Sequence, residues 1–290
     1  AGTTKMDAYE QLIEYLPMVE QIYFAGGEPL IMDEHWYIMN KIVDMGKTRM
    51  DSPMRIFYNT NFKTLTYKDN DVIELWNKFQ PECISIGASL DDSGKRGEYI
   101  RKGTIWSETV KNRKRMKEEC PDIDFNISCT VSMFNILNID KFFWEMVEEG
   151  FIGIEDFGIN ILLGKHIHRC TVLPERYRKE AQKKIAQIIE DVEYKDNLGR
   201  TTSTFKSLHK FLEEDMSHLI VPSMREAKEL DRFREETLFE AIPELGEVKE
   251  LRDAYENAEQ IERKPFNPSI REPRGDFGMG PGTVVGKNAL

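Results

Sequence analysis

The sequence predicts an α/β protein: a partial barrel of the TIM type, with parallel strands inside and helices outside, followed by a helical C-terminal extension. Three observations lead there. Between Gln21 and Leu163, short apolar runs alternate with helical stripes, the spacing of βαβ units around a parallel sheet. The strand-like runs carry one apolar face and one face of small polar residues, whereas a strand covered by helices on both sides is apolar throughout. After Pro174 the strand signal ends and only helical patterns remain.

The elements follow in order. Residues 8–16 read as a helix, and Gln21 to Ala25 as a short strand running into Gly26-Gly27-Glu28-Pro29. Asp33 is placed to cap a helix that turns Trp36, Met39, Ile42 and Val43 toward a core, with Gly46 placed to stop it. Met54 to Tyr58 is the next strand, ending in a polar Asn59-Thr60-Asn61 turn. Val72, Leu75, Trp76 and Phe79 then form one helical stripe. Cys83 to Leu90 reads as a strand, followed by a long charged, glycine-bearing loop and a helix from about Ile105 to Glu118. Asp124 to Val131 is a strand, Ile139 to Glu149 a helix, and Asp156 to Leu163 a strand. Helices are expected at 176–194, 204–215, 225–241 and 245–260. From Lys264 the proline- and glycine-rich chain reads as a tail. The expected division is therefore 1–173 for the partial barrel, 174–262 for the helical extension and 263–290 for the tail.

Strand faces sharpen the barrel reading. Phe125, Ile127, Cys129 and Val131 alternate with Asn126, Ser128 and Thr130, and Ile84, Ile86, Ala88 and Leu90 with Ser85, Gly87 and Ser89. The small polar face must look onto water or a ligand, as a barrel lumen does. Cys129 falls on the helix side and is expected to be structural.

A net charge of -11 leaves no basic footprint for nucleic acid. The Lys111–Lys117 stretch reads as a solvated helix face. No apolar run reaches the ~20 residues of a membrane helix, and residues 1–10 lack the pattern of a signal peptide. A cytoplasmic setting is the expectation. Cys83, Cys120, Cys129 and Cys170 are widely separated, without the C-x2-C or C-x3-C spacing of clusters and zinc sites. His166, His168 and Cys170 alternate and on a regular strand would share a face. Gly164 and Pro174 argue instead for an irregular segment, and no metal ligand is assigned.

The glycine turn has two readings on its own. Its glycines supply unusual backbone angles for a tight bend, or they let the backbone approach a ligand while the Glu28 carboxylate grips an ammonium group. The surrounding motifs add to this. Ile22-Tyr23-Phe24-Ala25-Gly26-Gly27-Glu28-Pro29-Leu30 resembles the second strand and glycine turn of the radical S-adenosylmethionine (SAM) core. Tyr58-Asn59-Thr60-Asn61 resembles the end of its third strand. Ala88-Ser89-Leu90-Asp91, then Glu98-Tyr99-Ile100-Arg101-Lys102-Gly103-Thr104-Ile105-Trp106, resembles its fourth strand and following loop. Thr130-Val131-Ser132 with Asn135, and Asn160-Ile161-Leu162, resemble the ends of the fifth and sixth. Leu230-Asp231-Arg232-Phe233-Arg234 with Ile242-Pro243-Glu244-Leu245 resembles the C-terminal part of members with a twitch (SPASM-like) domain.

The resemblance spans about Leu12 to Leu245 and implies strands two to six of a (β/α)6 barrel. It implies that Gly26, Gly27, Glu28 and Pro29 hold the methionine end of SAM. Ser89 and Arg101 would meet its carboxylate or ribose, since a guanidinium grips a carboxylate in a bidentate way. Asn59, Asn61, Ser128, Thr130 and Asn160, at C-terminal strand ends, become candidates for the adenosine or substrate pocket. For Asn59 and Asn61 a local turn role competes. No residue is assigned a catalytic role. In this family a reduced [4Fe–4S] cluster cleaves SAM to a deoxyadenosyl radical that abstracts hydrogen from substrate. A peptide, protein or other large substrate and an electron donor are the implied partners of the full-length enzyme.

The cluster ligands of that family, a C-x3-C-x2-C motif upstream of the glycine turn, are not in this sequence. The expectation is an N-terminally truncated radical SAM protein, oxidoreductase in type, whose chain alone is inactive. A non-catalytic SAM-binding or scaffold protein with a degenerate partial barrel is the alternative. An unrelated barrel enzyme using the turn for phosphate is a third, disfavoured because Glu28 would repel an anion.

Overall fold

A computed structural model describes residues 5–48 and 53–259. Among the described residues seven strands form: β1 (Gln21–Phe24), β2 (Arg55–Thr60), β3 (Thr66–Tyr67), β4 (Asn70–Asp71), β5 (Ile84–Ala88), β6 (Asp124–Val131) and β7 (Phe157–Ile161). Five of them make one parallel sheet in the order β1-β2-β5-β6-β7, and β3 and β4 pair as a small antiparallel ribbon. Main-sheet order thus follows chain order without reversal. Right-handed crossovers between such strands stack their helices on one face, as in a barrel wall and unlike a doubly wound sheet.

The two faces differ as their residues require. Ile56, Tyr58, Ile84, Ile86, Ala88, Phe125, Ile127, Cys129 and Val131 are buried, while Phe57, Asn59, Ser85, Gly87, Asn126, Ser128 and Thr130 between them are half-buried. The buried face is covered by α2 (Asp33–Asp44), α3 (Val72–Trp76), α5 (Trp106–Glu119) and α6 (Ile139–Glu148). Trp36, Met39 and Ile42 of α2, and Phe142, Phe143 and Met146 of α6, point inward at helical spacing. Aromatic rings interlock within this mainly aliphatic core: Tyr58 meets Trp76 edge-on at 5.6 Å between ring centroids, and Phe157 meets Phe143 edge-on at 5.3 Å.

Local chemistry explains most boundaries. Gly46 (φ +72°) follows the end of α2, as its position foretold. Asp33 is the first helical residue rather than the cap; its carboxylate takes an ion pair from Lys68 at 2.5 Å. The Asp71 side chain caps α3 by accepting from the Ile73 amide at 2.9 Å. Further expectations change. β2 continues through Asn59 and Thr60, which the sequence suggested were a turn. The expected loop after Leu90 contains a helix, α4 (Gly94–Ile100). Its two glycines argue against a helix by propensity, yet one of them is required there: a Cβ on Gly97 would lie 2.2 Å from the Asp92 carbonyl oxygen.

The C-terminal helices are α7 (Glu175–Val192), α8 (Arg200–Phe211), α9 (Ile220–Arg234), α10 (Leu238–Ala241), α11 (Pro243–Glu247) and α12 (Lys249–Glu256), with α1 (Lys5–Tyr15) at the other end of the chain. The expected helix over 225–241 is interrupted at Glu235, whose backbone is left-handed (φ +55°). α8 closes the sheet edge at β7. Phe205 stacks on Phe157 at 5.8 Å, and Thr201 Oγ1 accepts from the Phe157 amide (3.3 Å) and donates to its carbonyl (3.1 Å). Edge groups that would otherwise be free to pair elsewhere are thereby used. The proline- and glycine-rich stretch expected from Lys264 onward lies outside the described residues.

One buried histidine gives the fold a pH dependence. His35 Nε2 is hydrogen-bonded to Tyr58 Oη at 2.9 Å, its ring sits edge-on to Phe24, and burial pushes it down to about 4. Between pH 6.5 and 4 the unfolded chain therefore binds a proton there that the folded one refuses, so stability falls as pH falls through this window. The loss approaches about 3 kcal/mol across the window, at ~1.4 kcal/mol per pH unit. Urea denaturation of wild type and His35→Gln at pH 6.5 and 4.5 checks this: the variant loses less stability between the two pH values, and equal losses would refute it.

Candidate functional site

The site is built on the C-terminal ends of the five parallel strands, beginning where β1 runs into the glycine turn. Gly26 (φ +84°) and Gly27 (φ +61°) are consecutive left-handed residues. A Cβ on Gly26 would meet nothing within 4 Å, and one on Gly27 only Met32 Sδ at 3.7 Å. Backbone angle, not space, thus demands glycine here, and both residues are exposed with open room in front of them. Pro29 is buried and starts a 3-10 turn, Pro29–Ile31.

Glu28 is a strap between strands. Its Oε1 accepts from the Leu30 amide (3.2 Å) and the Thr60 hydroxyl (2.7 Å), and its Oε2 accepts from the Asn61 amide (2.7 Å). Thr60 Oγ1 in turn accepts from the Phe62 amide at 3.0 Å. The carboxylate locks the exit of β1 to the exit of β2. A carboxylate offers about four lone-pair directions; these three bonds leave room for one more donor.

The other sequence-derived candidates come together in pairs. Ser89 Oγ donates to Asn59 Oδ1 at 2.7 Å, bridging β5 and β2. Asn160 Nδ2 donates to Ser128 Oγ at 2.7 Å, bridging β7 and β6. Both bridges stand on the small polar face. Asn61 is different: its side chain accepts from the Lys63 amide at 3.0 Å, the local turn that its residue type favours.

Between these pairs stands Asp91, to which the sequence motifs assign no role. It is buried, and burial raises its carboxyl above the ordinary range against the lowering pull of Arg101. Arg101 grips it in a bidentate way, Nε to Oδ2 at 2.7 Å and Nη2 to Oδ1 at 3.0 Å. The Thr130 amide donates to Oδ1 at 2.7 Å, and Asn135 Nδ2 donates to the Asp91 carbonyl at 2.8 Å. Arg101 was expected at a ligand carboxylate; in this structure its fork is filled by a carboxylate of the chain itself. Thr130 takes part through its backbone. The signal that would have found Asp91 is an aspartate at a strand exit with an arginine ten residues on, at the end of a short helix.

The four cysteines do not form a cluster site. Each is buried and free. Burial raises the Cys129 thiol well above its ordinary value and pushes Cys120 and Cys170 up to about 11 and about 12, the opposite of what a thiolate ligand needs. His166–His168 and Cys170–Val172 are two 3-10 turns, with His166 exposed and His168 and Cys170 buried. Among the described residues, no group of three or more His, Cys, Asp or Glu could hold a metal ion. No helix among them is long and apolar enough to cross a membrane.

Fold and site define the class: an α/β protein with an open parallel sheet, whose strand ends carry a glycine turn and a row of small polar residues. No family model matches the chain, and no curated protein does. Solved structures similar to it include native anSMEcpe with bound AdoMet, at 15% identity and a TM-score of 0.48, covering 67% of this chain and 54% of that one. Native anSMEcpe with bound AdoMet and Cp18Cys peptide is 17% identical, with a TM-score of 0.47 and coverage of 68% and 55%. The chain thus spans about half the length of the solved structures it matches.

The Glu28 strap is testable by itself. Glu28→Ala leaves the Thr60 hydroxyl and the Asn61 amide without their acceptor, a loss of about 2–3 kcal/mol at ~1 kcal/mol or more per bond. Glu28→Gln, which keeps one accepting oxygen, loses less. Urea midpoints of the two variants report the order, and a Glu28→Ala midpoint equal to wild type removes the strap.

Proposed function

We propose that this chain is the SAM-binding part of a radical SAM enzyme, and that the glycine turn and the polar strand ends form its cofactor cradle. One observation carries the reading. Consecutive left-handed glycines at the exit of β1 are followed by a half-buried carboxylate with acceptor capacity to spare. They open onto strand ends that bear small polar residues in sequential sheet order. Parallel α/β sheets bind ligands at the carboxyl ends of their strands.

The roles follow from chemistry. Gly26 and Gly27 let the backbone come close to the methionyl end of SAM, Glu28 offers its remaining lone pair to the ammonium group, and Pro29 holds the turn. Asn59 with Ser89, Ser128 with Asn160, and Asn61 and Thr130 at neighbouring strand ends, line the adenosine or substrate side. Arg101 acts through Asp91, which it holds, and not as a free fork.

The [4Fe–4S] cluster does not fit the cysteines described above. The redox step, the electron donor and a peptide or other large substrate are therefore proposed for the full-length enzyme, together with its twitch domain. Four singly buried thiols equally suit the second reading, a non-catalytic SAM-binding protein. Both readings require the cradle to take SAM.

Amide NMR titration with SAM and with S-adenosylhomocysteine tests that requirement. Saturable shifts are expected at Gly26, Gly27 and Asn61. They are expected to vanish in Gly27→Val, whose β-branched side chain opposes the left-handed backbone. ATP, carrying phosphates where SAM carries an ammonium, is expected to leave these amides unmoved. A folded wild type unresponsive to both SAM ligands ends the proposal.

A further inference from the structure

α4 is a seven-residue helix containing two glycines. A helix this short is not stable alone, so its place is set by what grips it. Its grips come from two sides. On the sheet side, Arg101 closes the helix, its amide donating to the Gly97 carbonyl at 2.9 Å, while its guanidinium holds Asp91. On the other side stand the C-terminal helices. Tyr99 Oη donates to Asp231 Oδ1 of α9 at 2.7 Å, and both residues are buried. Arg234 Nη1 donates to the Tyr99 carbonyl at 3.1 Å. Arg96 pairs with Glu244 of α11, and Lys102 with Glu236.

Asp231 is an anchor and not a loose partner. Its Oδ2 also accepts from Tyr255 Oη of α12 at 2.6 Å and from the Leu238 amide of α10 at 2.7 Å. One carboxylate on α9 thus ties together α4, α9, α10 and α12. Only Ile100 separates Tyr99 from Arg101, and Arg101 reaches Thr130 at the end of β6 through the single carboxylate of Asp91. A contiguous run of short bonds therefore joins the C-terminal helices to the strand ends.

We propose that the C-terminal helices position the site through α4: Asp231 and Tyr99 are positioning residues that hold Arg101 on Asp91, so that docking of these helices and ligand binding at the strand ends are thermodynamically linked. The ligand half of this statement rests on the cradle reading above. The positioning half does not. Linkage of this kind has a typical size of about five-fold or more in affinity.

The experiment follows Arg101 directly. In the wild-type chain its Nε–H is held by Asp91 at 2.7 Å, so slow exchange with water is the expected wild-type reading in side-chain nitrogen NMR. Tyr99→Phe keeps the buried ring and removes only the hydroxyl. The expected result is about five-fold or faster exchange at Arg101 Nε and about five-fold or weaker SAM binding. Tyr255→Phe removes a different donor from the same carboxylate without touching α4, and both readouts should stay within about two-fold of wild type. Should Tyr99→Phe not fold, Arg234→Gln, which releases the Tyr99 carbonyl, carries the same expectation. Unchanged Arg101 exchange in a folded variant, or an equal effect from Tyr255→Phe, overturns the proposal. Wild type that binds no SAM sinks the cradle reading, while the exchange comparison still decides the positioning.

Discussion

The bidentate pair between Arg101 and Asp91 is the constraint on which the rest of the site depends. Asp91 leaves β5 at the point where the chain must turn out of the sheet. Its carboxylate and carbonyl together take donors from Arg101, Thr130 and Asn135. Desolvating that carboxylate is costly, and the cost is offset because charge-assisted and backbone donors surround it. The fork of Arg101 then fixes the end of α4, and the Thr130 amide fixes the end of β6. Three elements meet at one ionised group.

A second carboxylate does the same work one strand away. Glu28 joins the exits of β1 and β2 as Asp91 joins those of β5 and β6. The Asn59–Ser89 bridge lies between them, and the Ser128–Asn160 bridge continues to β7. The strand ends therefore form one laced row from β1 to β7, not a set of loose loops. Such a row is preorganised: its polar groups face the open side of the sheet without needing to rearrange.

Much of this was legible in the residues. Alternation along Asp124–Val131 and Ile84–Ala88 announced both the strands and their faces, because a one-residue slip would expose the apolar set. Gly26-Gly27 announced a left-handed turn, and Gly46 a helix stop, since few other residues adopt those angles at low cost. α4 was hidden because Gly94 and Gly97 lower helix propensity; only the carbonyl of Asp92, packed where a Cβ would stand, shows why glycine is there. The break of the expected 225–241 helix was hidden too, because no proline or glycine marks Glu235.

By itself, then, the sequence determined the alternating architecture, the open polar face of the sheet and the glycine turn. Those follow from periodicity and from backbone sterics, which are local properties. Tertiary structure decided which charged groups are spent on the protein. Glu28 and Arg101 carry side chains that suit a ligand, yet three donors converge on the first and Asp91 fills the fork of the second. The partners 33 residues apart pair only once β1 and β2 stand side by side, and those 10 apart only once α4 folds back over the exit of β5. The glycine turn keeps its place as the opening of the site, now braced from behind by a carboxylate the sequence had assigned to the ligand.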